Sequence, residues 1–234
     1  QDYRDCRDYF STFMSHNFSE PDYEPENWHD PYIQGSHNCY AYFLDDQIKD
    51  VKKECQRVCD KGNKCRNNKK CGNLKPQPGH YCVDNEHKYA RDFNIKDKLN
   101  IYNCPTILER VMCDNSLYNK ELIKQVEFTT PCPKDHYKGI VVIDSGQNRK
   151  MKNGHTYHFY RQDSNGRFSH KPGTLPVEDL DASNQPIYAP HLSDTNYNKK
   201  NPMSKDGIHY DKKCSYMCIP KNDKTKKTHE THAI

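Results

Sequence analysis

Gly-Ser-His-Asn-Cys-Tyr-Ala-Tyr-Phe-Leu, residues 35–44, reads as the start of an amphipathic helix with a cysteine in its first turn. Ser36 or Asn38 can cap that start by accepting a backbone N–H. Downstream, Tyr40, Phe43, Leu44, Ile48, Val51, Cys55 and Val58 recur at spacings of three and four. This periodicity predicts one helix over 39–60 with a single buried stripe. The Asp60-Lys61-Gly62-Asn63 stretch supplies a stop. A thiol at a helix start lies at the positive end of the backbone dipole, which favours thiolate.

A thiolate nucleophile also needs a base. Residues 155–161, His-Thr-Tyr-His-Phe-Tyr-Arg, alternate as a strand does, with His158 and Tyr160 on one face and Tyr157 and Phe159 on the other. Asp163-Ser164-Asn165-Gly166 is a hairpin turn that returns the chain through Phe168, Ser169 and His170. Paired strands would set His158 beside His170, so that the second imidazole orients the first. Cys39, His158 and His170 are therefore the expected catalytic residues. His37 and His155 are competing bases, and His37 would point away from Cys39 if the helix begins there. The simpler readings are that Cys39 is half of a disulfide, that His158 is a half-buried strand histidine, and that 169–173 is only a strand end and turn.

The other segments support this centre. Residues 139–144 predict a buried strand, and 186–188 predict a fourth one. Residues 105–127 read as two helical pieces separated by Asp114-Asn115-Ser116. Residues 61–88 read as a loop stapled by Cys65, Cys71 and Cys82, with a rigid turn at Pro76-Gln77-Pro78-Gly79. Residues 191–210 read as loop, and Cys214 and Cys218 tie down the region that follows. Helices followed by an antiparallel sheet make the fold class α+β. The expected organisation is an aromatic arm over 1–34, one domain over 35–220 with a Cys-rich insert at 50–135, and a basic tail over 221–234.

Hydrophobic residues are only 33% of the 234, yet 17 tyrosines and 8 phenylalanines exclude a disordered composition. Mean hydropathy is −1.19, so the core must be modest and supplemented by cross-links. Twelve cysteines spread along the chain predict disulfides and an oxidising, extracellular compartment. Gln1 and the sequon Asn17-Phe18-Ser19 fit a processed, secreted glycoprotein. If Cys39 is free, eleven cysteines remain, and an odd number cannot all pair within the chain.

The spacing of Cys55, Cys59, Cys65 and Cys71 is wider than that of zinc knuckles, and neither a metal nor a cofactor is expected. A net charge of +4 does not demand nucleic acid. The lysine-rich stretches 61–75 and 199–227 read as solvated loop and tail, with an anionic polymer as the alternative partner. No run approaches the roughly 18 apolar residues of a membrane span.

Asn38-Cys39-Tyr40-Ala41-Tyr42, with a strand histidine and a second histidine one hairpin later, resembles the NlpC/P60 superfamily. The resemblance implies a papain-like core and a thiol hydrolase of peptide or amide bonds. The matching positions are Cys39, His158 and His170. Residues 157–163 and 166–173 also resemble a Cys-rich group found in large DNA viruses, microbes and mollusc shell matrices. That second likeness implies the alternative: a non-catalytic, disulfide-cross-linked structural protein of an extracellular matrix or a virus particle, whose partners are its own copies and other matrix or capsid components.

Overall fold

A computed structural model describes residues 19–60, 74–75, 77–84, 102–118, 123–146, 156–198 and 207–221. Residues 1–18 of the expected arm, His155, the basic tail from 222 and much of the Cys-rich insert lie outside these. The fold is α+β, as the sequence predicts. Among the described residues five α-helices precede or lead into one antiparallel sheet: α1 Glu26–His29, α2 Pro31–Ser36, α3 Cys39–Phe43, α4 Val51–Asp60 and α5 Cys104–Tyr118. A π-helical turn, His80–Asp84, docks beside α5. The strands are β1 Lys124–Val126, β2 His136–Asp144, β3 Thr156–Gln162, β4 Phe168–Ser169 and β5 Lys212–Pro220, in the order β1-β5-β2-β3-β4.

The predicted helix over 39–60 is two helices. Asp45 takes a left-handed conformation (φ 50°), which ends the first. The break is held by Arg161, whose guanidinium donates to the Tyr42 carbonyl (3.2 Å) and to Asp45 Oδ1 (2.8 Å). His37 Nε2 accepts from the Ile48 N–H at 2.9 Å on the other side of the break. A tertiary cation and an imidazole thus override a helical periodicity that the apolar residues satisfy.

The two helical pieces predicted over 105–127 are instead one helix, α5, followed by strand β1. Asp114 and Asn115 do not separate anything, because their side chains are used for tertiary bonds. Asp114 accepts from Gly79 N (2.6 Å) and Cys82 N (3.0 Å), and Asn115 Oδ1 accepts from Ile123 N (2.9 Å). The strand predicted at 186–188 is reduced to a single bridge, Leu180 with Pro186.

Strand β5, whose sequence signals only a segment tied down by Cys214 and Cys218, lies between β1 and β2. Its signal was the alternation Lys213-Cys214-Ser215-Tyr216-Met217-Cys218-Ile219, masked by an irregularity. Ile140 pairs with Tyr216 but Val142 pairs with Lys213, so one extra residue sits in β5 and reverses which way the side chains face. That reversal turns Cys214 toward α5, where it forms the disulfide with Cys104. Cys132–Cys218 and Cys82–Cys113 are also bonded, and Cys55 is disulfide-bonded too.

The sheet has two unlike faces. On the first, Tyr137, Val141, Ile143, Phe159, Met217 and Ile219 meet α3 and α5 through Cys39, Tyr40, Phe43, Ile107, Leu108 and Val111. Gly139 makes the docking possible: a Cβ there would stand 2.3 Å from the Phe43 ring and 2.6 Å from Ile219 Cδ1. On the second face, Ile140, Val142, Tyr160, Phe168 and Tyr216 are covered by Ile187, Tyr197, Ile208 and Tyr210 from the connecting loops. Among the described residues no helix is long and apolar enough to cross a membrane.

Candidate functional site

The parity of β3 decides how the three expected catalytic residues are arranged. His158 pairs with Val142 across the ladder, and Phe159 pairs with Val141. Val142 belongs to the loop-covered face and Val141 to the helix-covered one. Successive strand side chains point to opposite faces. His158 therefore faces the loops, and Tyr157 and Phe159 face the helices.

Helix α3 lies on the Phe159 side. The Tyr40 and Phe43 rings sit 5.2 and 4.7 Å from that of Phe159. Tyr42 exchanges a 2.6 Å hydrogen bond with the Ser169 hydroxyl. Asn38 caps α3 as predicted, its Oδ1 accepting from Ala41 N at 2.9 Å. Cys39 begins the helix, is free, and is 9% exposed in the apolar cluster that contains Phe159. Burial pushes its thiol up to about 12, outweighing the backbone N–H groups and Lys171 that favour the thiolate. The helix start, which was expected to activate the thiol, loses to desolvation.

The charged group near Cys39 is Lys171. Its Nζ donates to the carbonyls of Gln34 (2.8 Å), His37 (2.8 Å) and Gly173 (2.6 Å). Burial pulls Lys171 down to about 8, while three acceptors hold its proton in place at neutral pH. With its three N–H groups committed, Lys171 ties the start of α3 to the strand end and has no lone pair to offer a thiol. His37 is likewise committed. Its Nε2 accepts from Ile48 N, so its Nδ1 donates to the Ile33 carbonyl at 3.0 Å. Burial pulls His37 down to about 4.

On the opposite face, His158 and His170 meet as the hairpin spacing predicts. His158 Nε2 lies 2.8 Å from His170 Nδ1. His158 stacks on Tyr210, with ring centres 5.3 Å apart and 13° between planes. His170 Nε2 faces the Leu180 carbonyl (3.3 Å), the Tyr197 hydroxyl (3.3 Å) and Glu178 Oε1 (3.6 Å). Burial, then His170 and Lys171, push His158 well below its ordinary value. A neutral His158, bonded to His170, therefore sits on one side of the sheet and a protonated thiol on the other. The structure brings two of the three expected residues together and sets the third among Tyr157, Phe159 and Lys171.

Sequence reasoning missed the buried cations that organise this region. Arg161 is 1% exposed, lies over the Tyr42 ring at 3.9 Å, and bonds Asp163 at 3.0 Å as well as Asp45. Lys171 was visible only as the residue after His170. A cation inside a run of strand residues was the available signal, because such a group needs partners to be buried. Among the described residues no group of three or more His, Cys, Asp or Glu is arranged to hold a metal ion.

The chain is similar to Insoluble matrix shell protein 1 of Ruditapes philippinarum: 35% identical over 72 residues, 29% of this chain and 49% of that protein. It thus spans about half the length of the relative it matches. No family model matches the chain. No solved structure matches it.

Proposed function

We propose that the chain is a disulfide-cross-linked structural protein of an extracellular matrix, its partners other copies of itself and other matrix components. The observation that carries this reading is the likeness to an insoluble shell matrix protein. The disulfides agree with it, as they belong to an oxidising, extracellular setting. Nothing in the comparisons speaks for a virus particle.

Cysteine arithmetic adds a mechanism. Three disulfides and the free Cys39 leave Cys6, Cys55, Cys59, Cys65 and Cys71 of the twelve. Five is odd, so at least one bond partner has to come from outside these 234 residues or one thiol stays free. An intermolecular disulfide turns that remainder into a cross-link.

The test is oxidative refolding of the full chain over a range of concentrations, followed by gels with and without reductant. Covalent oligomers that grow with concentration and vanish on reduction are expected. A chain that stays monomeric at every concentration sinks the cross-linked reading.

A second reading is a thiol hydrolase of peptide or amide bonds with a papain-like NlpC/P60 core, using Cys39, His158 and His170 within one domain over 35–220. It is favoured by a free thiol at a capped helix start and by the hydrogen-bonded histidine pair. The sheet between Cys39 and His158 counts against it. Native iodoacetamide treatment separates the two: the matrix reading expects Cys39 to stay unmodified, and the hydrolase reading needs it to react selectively.

A further inference from the structure

Residues 178–187 are tied to the end of β4 by a line of polar contacts. Residues 170 and 178 exchange backbone bonds of 2.8 and 2.9 Å, and Phe168 N donates to the Ile187 carbonyl at 2.7 Å. The side-chain part of the tie runs from His158 through His170 to the Leu180 carbonyl. A carbonyl only accepts, so His170 Nε2 carries its hydrogen. His170 Nδ1 is then an acceptor, and His158 Nε2 must be the donor to it. One carbonyl fixes both tautomers.

One proton can be absorbed. His170 becomes a cation and donates from both nitrogens, and His158 shifts its hydrogen to Nδ1 so that its Nε2 accepts. The Glu178 carboxylate, 37% exposed and 3.6 Å from His170 Nε2, favours this state. A second proton cannot be absorbed. Two N–H groups would then face each other across 2.8 Å, two imidazolium charges would repel at close range, and the Lys171 ammonium would add to the repulsion on His158.

We infer that the His158–His170 pair is an acid-operated latch, whose double protonation releases residues 178–187 from the sheet and lifts Ile187 off the aromatic face beneath. The groups facing the pair are consistent with this. Tyr160 and Tyr210 face His158, and Tyr160, Tyr197 and Glu178 face His170. Burial raises Tyr160 and Tyr197, so these hydroxyls stay neutral through the acid range. Asp181 and Asp194 act on Tyr197 from the same loop, and with Glu178 they attract the first proton and leave the second to break the tie. The latch does not depend on the matrix reading, since it needs only the pair and the segment it holds.

Amide hydrogen exchange of the full chain between pH 7.5 and 4, corrected for the intrinsic rate, tests this. Peptides covering 178–187 should lose at least about ten-fold in protection somewhere between about pH 6 and 4. The loss should be steeper than one proton allows, while 136–144 and 212–220 stay protected. Glu178→Gln should move the release to lower pH, and His170→Gln should remove its two-proton steepness. Glu178 is partly exposed, so its variant still folds and decides the matter if the His170 variant does not. Protection lost in all strands together, or release at an unchanged pH in Glu178→Gln, overturns the latch.

Discussion

The two faces of the sheet bury similar numbers of rings by different means. The helix-covered face is filled by aliphatic and aromatic side chains from α3 and α5, close enough that Gly139 leaves no room for a methyl group. The loop-covered face is lined by tyrosine hydroxyls and imidazoles that bond to one another and to passing carbonyls, as Tyr160 does to Tyr197 and His191 to Tyr216. Helices satisfy their own backbone groups and can present an apolar stripe. Loops cannot, and a face covered by loops must supply bonding partners. A chain with few aliphatic residues can close a second face only by using rings with polar tips.

This contrast fails or sharpens under four perturbations. The largest effect should come from Arg161→Ala, which strands the buried Asp163 carboxylate and frees the α3 break; about 3–5 kcal/mol is expected, read from urea unfolding midpoints. A cost under about 1 kcal/mol would mean that the helix-covered face does not need its buried cation.

Next is the double variant Cys104→Ser, Cys214→Ser. It opens a bridge between residues 110 apart and should cost about 2–5 kcal/mol on the helix side of β5. Gly139→Ala follows at about 1–3 kcal/mol, since the new methyl meets the Phe43 ring inside a packed core. Thermal unfolding of that variant with an unchanged midpoint would show the helix-covered face to be as compliant as the other.

Per residue and per pH unit, the smallest effect is the acid slope. His37 and His158 both have their folded pKa held below the unfolded value near 6.5. The unfolded chain thus binds more protons, and the stability these groups contribute is whole above about pH 6.5 and is lost as pH falls. Each adds a slope of up to about 1.4 kcal/mol per pH unit. For His37 the loss runs down to about pH 4. Urea titrations from pH 7 to 4.5 should show His37→Asn removing the part that belongs to the helix side and leaving the part due to His158.

How much of this was legible in the sequence follows from the same division. Period-two alternation located β2, β3 and the hairpin, and hairpin length put His158 beside His170. Alternation also named which residues share a face of β3. It could not say which face α3 would cover, because Tyr157 and Phe159 make as good a floor for a helix as His158 and Tyr160. The choice is made by Gly139, which opens space for Phe43 on one side only, a contact between residues 96 positions apart. The break after Phe43 was hidden for a similar reason, since its cause is Arg161, far along the chain. The strand β5 was hidden by its own irregularity. What local spacing encodes was readable, and what a distant cation or glycine imposes was not.

The position of β5 also sets an order of events in biosynthesis. Of the described strands it is the last to leave the ribosome, yet it lies between β1 and β2 and carries one partner of both Cys104 and Cys132. Until residues 212–220 emerge, β1 and one side of β2 lack the strand that pairs with them, and two thiols wait for partners still being translated. Long-range pairing of this kind folds slowly and leaves strand edges exposed meanwhile. A nascent chain stalled short of Lys212 would carry two open edges and two waiting thiols. Such a stalled chain would be a substrate for thiol-disulfide exchange catalysts, whereas one completed turn of synthesis past Pro220 closes the sheet and both bridges together.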